Sequence, residues 1–144
     1  MNLLDNSVFE LPLYSVNNIK CEGRIVDIYD GDTITVVIKL NNQLQKHKIR
    51  LYGINSPELK GPTHIDGLAA RNFLISQIVN IDLELNIEYK KDEIIMMLKN
   101  TKKLFTFELL GEEKYGRILG KIYDGDECIN DIMVLHGYAK EYLL

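Results

Sequence analysis

The chain has 144 residues, 46% hydrophobic and 26% charged, with three prolines and a formal net charge of −4. That length suits one compact domain that closes its own core. The acidic balance argues against a protein that coats nucleic acid non-specifically, which draws on many lysine–phosphate contacts, and no stretch approaches the roughly 20 apolar residues that span a bilayer.

Met1–Val16 is apolar in places (Leu3, Leu4, Phe9, Leu11, Leu13), but Asp5 and Glu10 interrupt it and no basic start precedes it. It therefore reads poorly as a secretion signal, and a cytoplasmic protein is expected. Cys21 and Cys128 have no metal-ligand spacing and are expected as reduced thiols. From Gly23 the pattern is β-rich. Arg24–Tyr29 and Thr33–Leu40 read as strands joined by the tight turn Asp30-Gly31-Asp32, and Gln45–Leu51 follows a polar Asn41-Asn42 turn as a third. Asn55–Pro62, with two prolines and a glycine, is a loop. Asp66 is placed to cap a helix that runs to about Val79.

Ile81–Tyr89 alternates apolar and polar residues with period two and predicts a strand. Asp92–Asn100 is compatible with a short helix or a hairpin arm. Leu104–Leu110 and Arg117–Tyr123 read as strands, the second ending in another Asp-Gly turn, and Asn130–His136 as a helix stopped by Gly137. The segments Gly23–Asp32 and Gly116–Asp126 look alike, which shared turn chemistry explains without duplication. Many short strands with few helices predict an α+β domain. A five-stranded OB barrel fits that order, and so does an open sheet.

Three clusters carry candidate chemistry. Asp30-Gly31-Asp32-Thr33 sets two carboxylates on a turn, where they can converge on a hard cation; alone it is also ordinary hairpin chemistry. Arg50 ends a strand and leads to Asn55-Ser56-Pro57-Glu58, which offers an amide, a carbonyl before proline and a carboxylate. Arginine's planar fork suits two phosphate oxygens and a glutamate can accept a proton from water, although an Arg50–Glu58 surface ion pair would look the same. Glu113-Lys114-Tyr115-Gly116-Arg117 adds two cations and a phenol around a glycine. No Ser/His/Asp or Cys/His arrangement is evident, and His47, His64 and His136 are scattered as surface or structural residues.

In this order the clusters resemble the staphylococcal nuclease (thermonuclease) family, whose pattern is DGDT, then RLxGIDxPE, then KYGR. The resemblance runs from about Gly23 to Lys140 and is weakest between Gln77 and Lys103. It implies an OB barrel with packed helices over residues 23–144, an N-terminal extension over 1–22 and an insertion around 81–103. It also implies a Ca²⁺-dependent enzyme, a monomer, that cuts DNA and RNA, preferably single-stranded, to a 3′-phosphate. Asp32 would ligate Ca²⁺ directly, with Asp30 in the outer shell and oxygens of Asn55 and Ser56 completing the set. Arg50 and Arg117 would clamp the scissile phosphate, and Glu58 would orient or deprotonate water. Lys114 and Tyr115 would hold the terminal phosphate.

Asn55 stands where the family pattern has a second metal-binding aspartate. That substitution and the acidic charge leave open a competing class, a catalytically impaired domain that binds nucleic acid or protein. Tyr138 and Tyr142 read more readily as closing a barrel edge than as base-stacking groups. Lys46-His47-Lys48 and Lys99–Lys103 read as solvated faces that would steer a polyanion if they flank the cleft.

Overall fold

The computed structural model describes residues 4–10 and 19–142. The elements are β1 (Ile19–Asp30), β2 (Thr33–Leu40), β3 (Gln43–Leu51), β4 (Ile54–Asn55), α1 (His64–Val79), α2 (Lys91–Lys99), β5 (Phe105–Glu112), β6 (Ile118–Asp124), β7 (Glu127–Cys128), α3 (Ile129–Leu135) and β8 (Lys140–Glu141).

The main sheet runs β3-β2-β1-β5-β6-β7 and closes on itself where β3 pairs in parallel with β6, at Ile49↔Ile118, Arg50↔Leu119 and Leu51↔Gly120. The result is an α+β domain, a five-stranded OB barrel carrying three helices, and the open sheet is ruled out. Closure depends on β1, which pairs with β5 through its first half and with β2 through its second. Its register with β2 shifts after Ile25 and again after Ile28, and such irregularities bend a strand enough to turn a barrel corner.

Alternation along the strands sends Ile25, Ile28, Ile34, Val36, Ile38, Ile49, Phe107, Leu109 and Ile122 inward, all nearly inaccessible. Asn41 and Asn42 both adopt left-handed φ, 52° and 61°, as a two-residue type I′ hairpin requires. Helix α1 starts three residues earlier than expected, and its N-cap is Thr63 in place of Asp66, with no side-chain cap bond. Asp66 lies in the first turn, where its charge complements the helix dipole. The 92–100 segment resolves to helix α2, which buries Ile94 and Leu98 in the core beside β1. Helix α3 ends before Gly137, whose φ of 80° stops it. Cys21 and Cys128 are free thiols, both raised in pKa by burial.

Residues 81–90 do not form a strand. Their backbone pairs with no strand of the barrel. The segment is held instead by the fully buried Asn72 of α1, whose amide nitrogen lies 3.3, 3.0 and 2.7 Å from the carbonyl oxygens of Glu84, Leu85 and Ile87. Arg71 adds a bond to the Tyr89 carbonyl at 3.1 Å. A second buried amide, Asn130 of α3, accepts from Ile122 N and donates to the carbonyls of Tyr52 and Gly120, which fixes the turn after β3.

Candidate active site

The site sits where the β1–β2 turn, the end of β3 and the 55–58 loop meet. Register places Thr33 opposite both Asp30 and Arg50. Gly31 is what lets the turn approach the loop. A Cβ there would lie 2.8 Å from Ser56 Cβ and 2.9 Å from Ala70 Cβ on α1, so a side chain would push the turn away.

Asp30 and Asp32 are both buried, at 8% and 6% exposure. Asp30 Oδ1 accepts from Asp32 N at 3.0 Å. Asp32 is more heavily engaged. Its Oδ2 accepts from Ser56 N at 2.9 Å and pairs with Arg50 at 3.4 Å, and its Oδ1 accepts from Thr33 Oγ1 at 3.1 Å. Burial first, then the neighbouring Asp32 carboxylate, pushes Asp30 up to about 7, while the Asp32 amide and Arg50 pull the other way. Beside the pair, the buried Ser56 Oγ has no hydrogen-bond partner among the described residues.

Arg50 is oriented from three sides. Besides Asp32 it donates to its neighbour's carbonyl, Leu51 O, at 2.9 Å and to Asn55 Oδ1 at 3.2 Å. Arg117 is oriented by Glu113, which bonds its Nε, and its NH1 lies 3.5 Å from Thr33 Oγ1. The Glu113 bond is the main cause of a further rise in the Arg117 pKa, so this guanidinium stays charged at any working pH. Together they line a cleft of about 280 Å³ with Asn55, Glu113 and Tyr142.

The structure therefore gathers Asp30, Asp32, Arg50, Asn55, Ser56 and Arg117. Glu58 is exposed, and among the described residues its carboxylate makes no hydrogen bond or ion pair with this cluster. Its backbone is fixed nonetheless. Thr63 Oγ1 bonds the Glu58 carbonyl at 2.8 Å, and α1 presses on it through Gly67. Lys114 and Tyr115 are exposed on the β5–β6 turn, with the ammonium 5.8 Å from the phenol ring, and do not line the cleft. No group of three or more His, Cys, Asp or Glu able to hold a metal occurs among the described residues.

Thr33 and Glu113 belong to the site and had no role from sequence. Glu113 is four residues before Arg117, but across a β-turn that spacing does not announce a pair. The two tyrosines separate. Tyr138 stacks on Phe73 at 4.3 Å, a structural role, whereas Tyr142 lines the cleft and its amide bonds Gly53 O at 2.8 Å.

The molecule is thus a closed α+β OB barrel that sets two arginines beside a buried carboxylate pair. Residues 48–143 match the model of the staphylococcal nuclease homologue family, and the chain belongs to that family. It is similar to a thermonuclease from Staphylococcus intermedius, 26% identical over 130 residues, which cover 88% of this chain and 63% of the relative. The chain thus spans less than two thirds of the length of that curated relative. No helix among the described residues is long and apolar enough to cross a membrane.

Proposed function

We propose that the chain is a Ca²⁺-dependent nuclease that hydrolyses phosphodiester bonds of DNA and RNA, single strands preferred, and leaves a 3′-phosphate. One observation carries the reading: Arg50 and Arg117 share one cleft beside two buried carboxylates. A phosphodiester is anionic and repels hydroxide. Two fixed guanidiniums on its non-bridging oxygens stabilise the charge that develops during attack, and they do so without reorganising.

The donor set fits a hard divalent cation. Asp32 and Asp30 supply carboxylates, and Ser56 Oγ is a buried oxygen without a hydrogen-bond partner among the described residues. Asn55 would add a neutral amide oxygen, at present hydrogen-bonded by Arg50. When bound, such a cation supplies Lewis-acid polarisation of a phosphoryl oxygen. Glu58, exposed at the loop, accepts the proton of the attacking water or orients it. Lys114 and Tyr115, exposed on the β5–β6 turn, take the terminal phosphate, and Tyr142 offers a ring to the adjoining base.

The test is cleavage of single-stranded DNA in Ca²⁺ and in chelator, with Glu58→Ala and Arg117→Ala alongside. Cleavage that needs the cation and falls in both variants supports the reading. No cleavage up to about 10 mM Ca²⁺, roughly ten times the weak end of protein Ca²⁺ affinities, would leave a nucleic-acid or protein-binding domain, the reading that Asn55 favours.

A further inference from the structure

On the outer face of the barrel lies a groove of about 500 Å³ between β1, β3 and α2, lined by Arg24, Lys46, Lys48, Lys91 and Lys99 with Asp27 as the one carboxylate. Five cations converge here in a chain whose formal charge is −4. Asp27 offsets little, since its Oδ1 accepts from Ile28 N and its contact with the exposed Lys91 is 3.8 Å. Arg24 forms the floor. Its guanidinium bonds the carbonyls of Leu98, Lys99 and Thr101, which ties the end of α2 to the barrel and makes the far wall rigid.

Strand β3 runs from the groove, lined by its Lys46 and Lys48, to the cleft, lined by its Arg50. Arg50, Lys48 and Lys46 alternate on one face of β3, opposite Thr33, Thr35 and Val37 of β2. Alternate residues on a strand lie about 6.8 Å apart, a step comparable with that between successive phosphates of an extended single strand. A row of cations at that interval leads from the phosphate clamp to the groove.

We infer that this track is a binding path for single-stranded nucleic acid. The strand that places one phosphate between Arg50 and Arg117 lays its neighbours along Lys48 and Lys46, and α2 forms the outer wall with Lys91 and Lys99. The partner is an extended polynucleotide because the charges form a line along β3 and the facing edge of α2. This inference rests on the nuclease reading of the cleft, and it makes the length of the substrate a determinant of affinity.

The test is binding of a labelled 12-nucleotide oligothymidylate by fluorescence anisotropy, in chelator so that cleavage plays no part. Two double variants remove groove charges, K46Q/K48Q and K91Q/K99Q, and K20Q/K121Q removes the same charge beside Glu108 on the β1–β5–β6 flank. These lysines are exposed or half-exposed, and thermal melting verifies each fold. Each groove pair should weaken binding about tenfold and reduce the slope of log K against log salt by about 1.4, two phosphate contacts at 0.7 each for single strands. The flank pair should change affinity less than about twofold. Wild-type affinity in both groove variants, or an equal loss in the flank variant, would overturn the path. Because binding is read without cleavage, a protein that binds along the track but never cuts refutes the nuclease reading alone. One that cuts while the groove variants bind normally refutes only the path.

Discussion

Gly67 lies in the first turns of α1, where alanine would ordinarily stabilise a helix by about 1 kcal/mol. Its conformation is helical, so the backbone itself accepts a side chain. The obstacle is the loop bearing Glu58. A Cβ on Gly67 would stand 2.7 Å from the Glu58 carbonyl carbon and 2.9 Å from Leu59 Cα, and closer still to the Glu58 oxygen. Carbon atoms rest about 3.5–4.0 Å apart, and these neighbours are backbone, so the loop must withdraw by roughly 1 Å. Overpacking of this kind costs about 1–3 kcal/mol, which the helix gain partly offsets, and a Tm change of only a few degrees is expected. The catalytic effect should be far larger. A misplacement of about 1 Å costs roughly a hundredfold in rate, and here it falls on the residue proposed to manage the attacking water. The assay pairs the cleavage rate of Gly67→Ala in saturating Ca²⁺ with its thermal melt. A variant that melts higher than wild type and cuts within threefold of its rate would show that Glu58 is not positioned by this contact.

Replacing Asn72 with alanine removes both N–H donors from the carbonyls of residues 84, 85 and 87. Stability should fall by about 2–4 kcal/mol with faster amide exchange across 81–90, and unchanged exchange there would refute the pinning role. Asn130→Ala strands Ile122 N and two carbonyls, so urea unfolding should show a loss of about 3 kcal/mol at unchanged slope. Asn55→Asp should tighten Ca²⁺ about tenfold in calorimetry, since ligand charge sets affinity in such sites; an unchanged value means that Asn55 is no ligand. Glu113→Ala should lower kcat about tenfold while Glu113→Gln, which can still accept from Arg117 Nε, retains more; equal rates in both would remove Glu113 from the positioning of Arg117.

Most of the barrel is legible from local signals. Strand alternation marks β1, β2, β3, β5 and β6, and the Asn41-Asn42 pair marks a hairpin whose left-handed φ values follow directly. The failure at 81–89 is instructive because its alternation is as clean as any. Periodicity reports which side chains seek burial, and Leu83 and Tyr89 do pack against the core. It does not report whether a strand edge will receive the backbone, and here the segment pairs with none. Tertiary hydrogen bonds from Asn72 and Arg71 take the place of ladder bonds. At the site, the arginines and aspartates are legible because the chemistry names its residue types. Glu113 and Thr33 are not, since their parts depend on which atoms a β-turn and a hairpin bring within reach of Arg117. The basic track is half legible. Lys46 and Lys48 alternate with Arg50 in the sequence, but α2 joins them only through the fold.

In the proposed site, Asn55 bears on the cation more than on the phosphate. Its amide oxygen holds Arg50 in the cleft, a duty that an aspartate would perform with greater strength, and Arg50 retains Asp32 and Leu51 O as further anchors. The phosphate clamp therefore tolerates the neutral residue. Asp32 has no such reserve. Its two oxygens already serve Ser56 N, Thr33 and Arg50, and a cation must share them with a fixed guanidinium. In the proposed donor set, with no second carboxylate at 55, the further charge comes from Asp30, which lies just across Gly31. The close packing of that glycine against Ser56 and Ala70 thus does more than shape a turn: it keeps Asp30 beside Asp32, where it replaces the missing carboxylate in the proposed donor set.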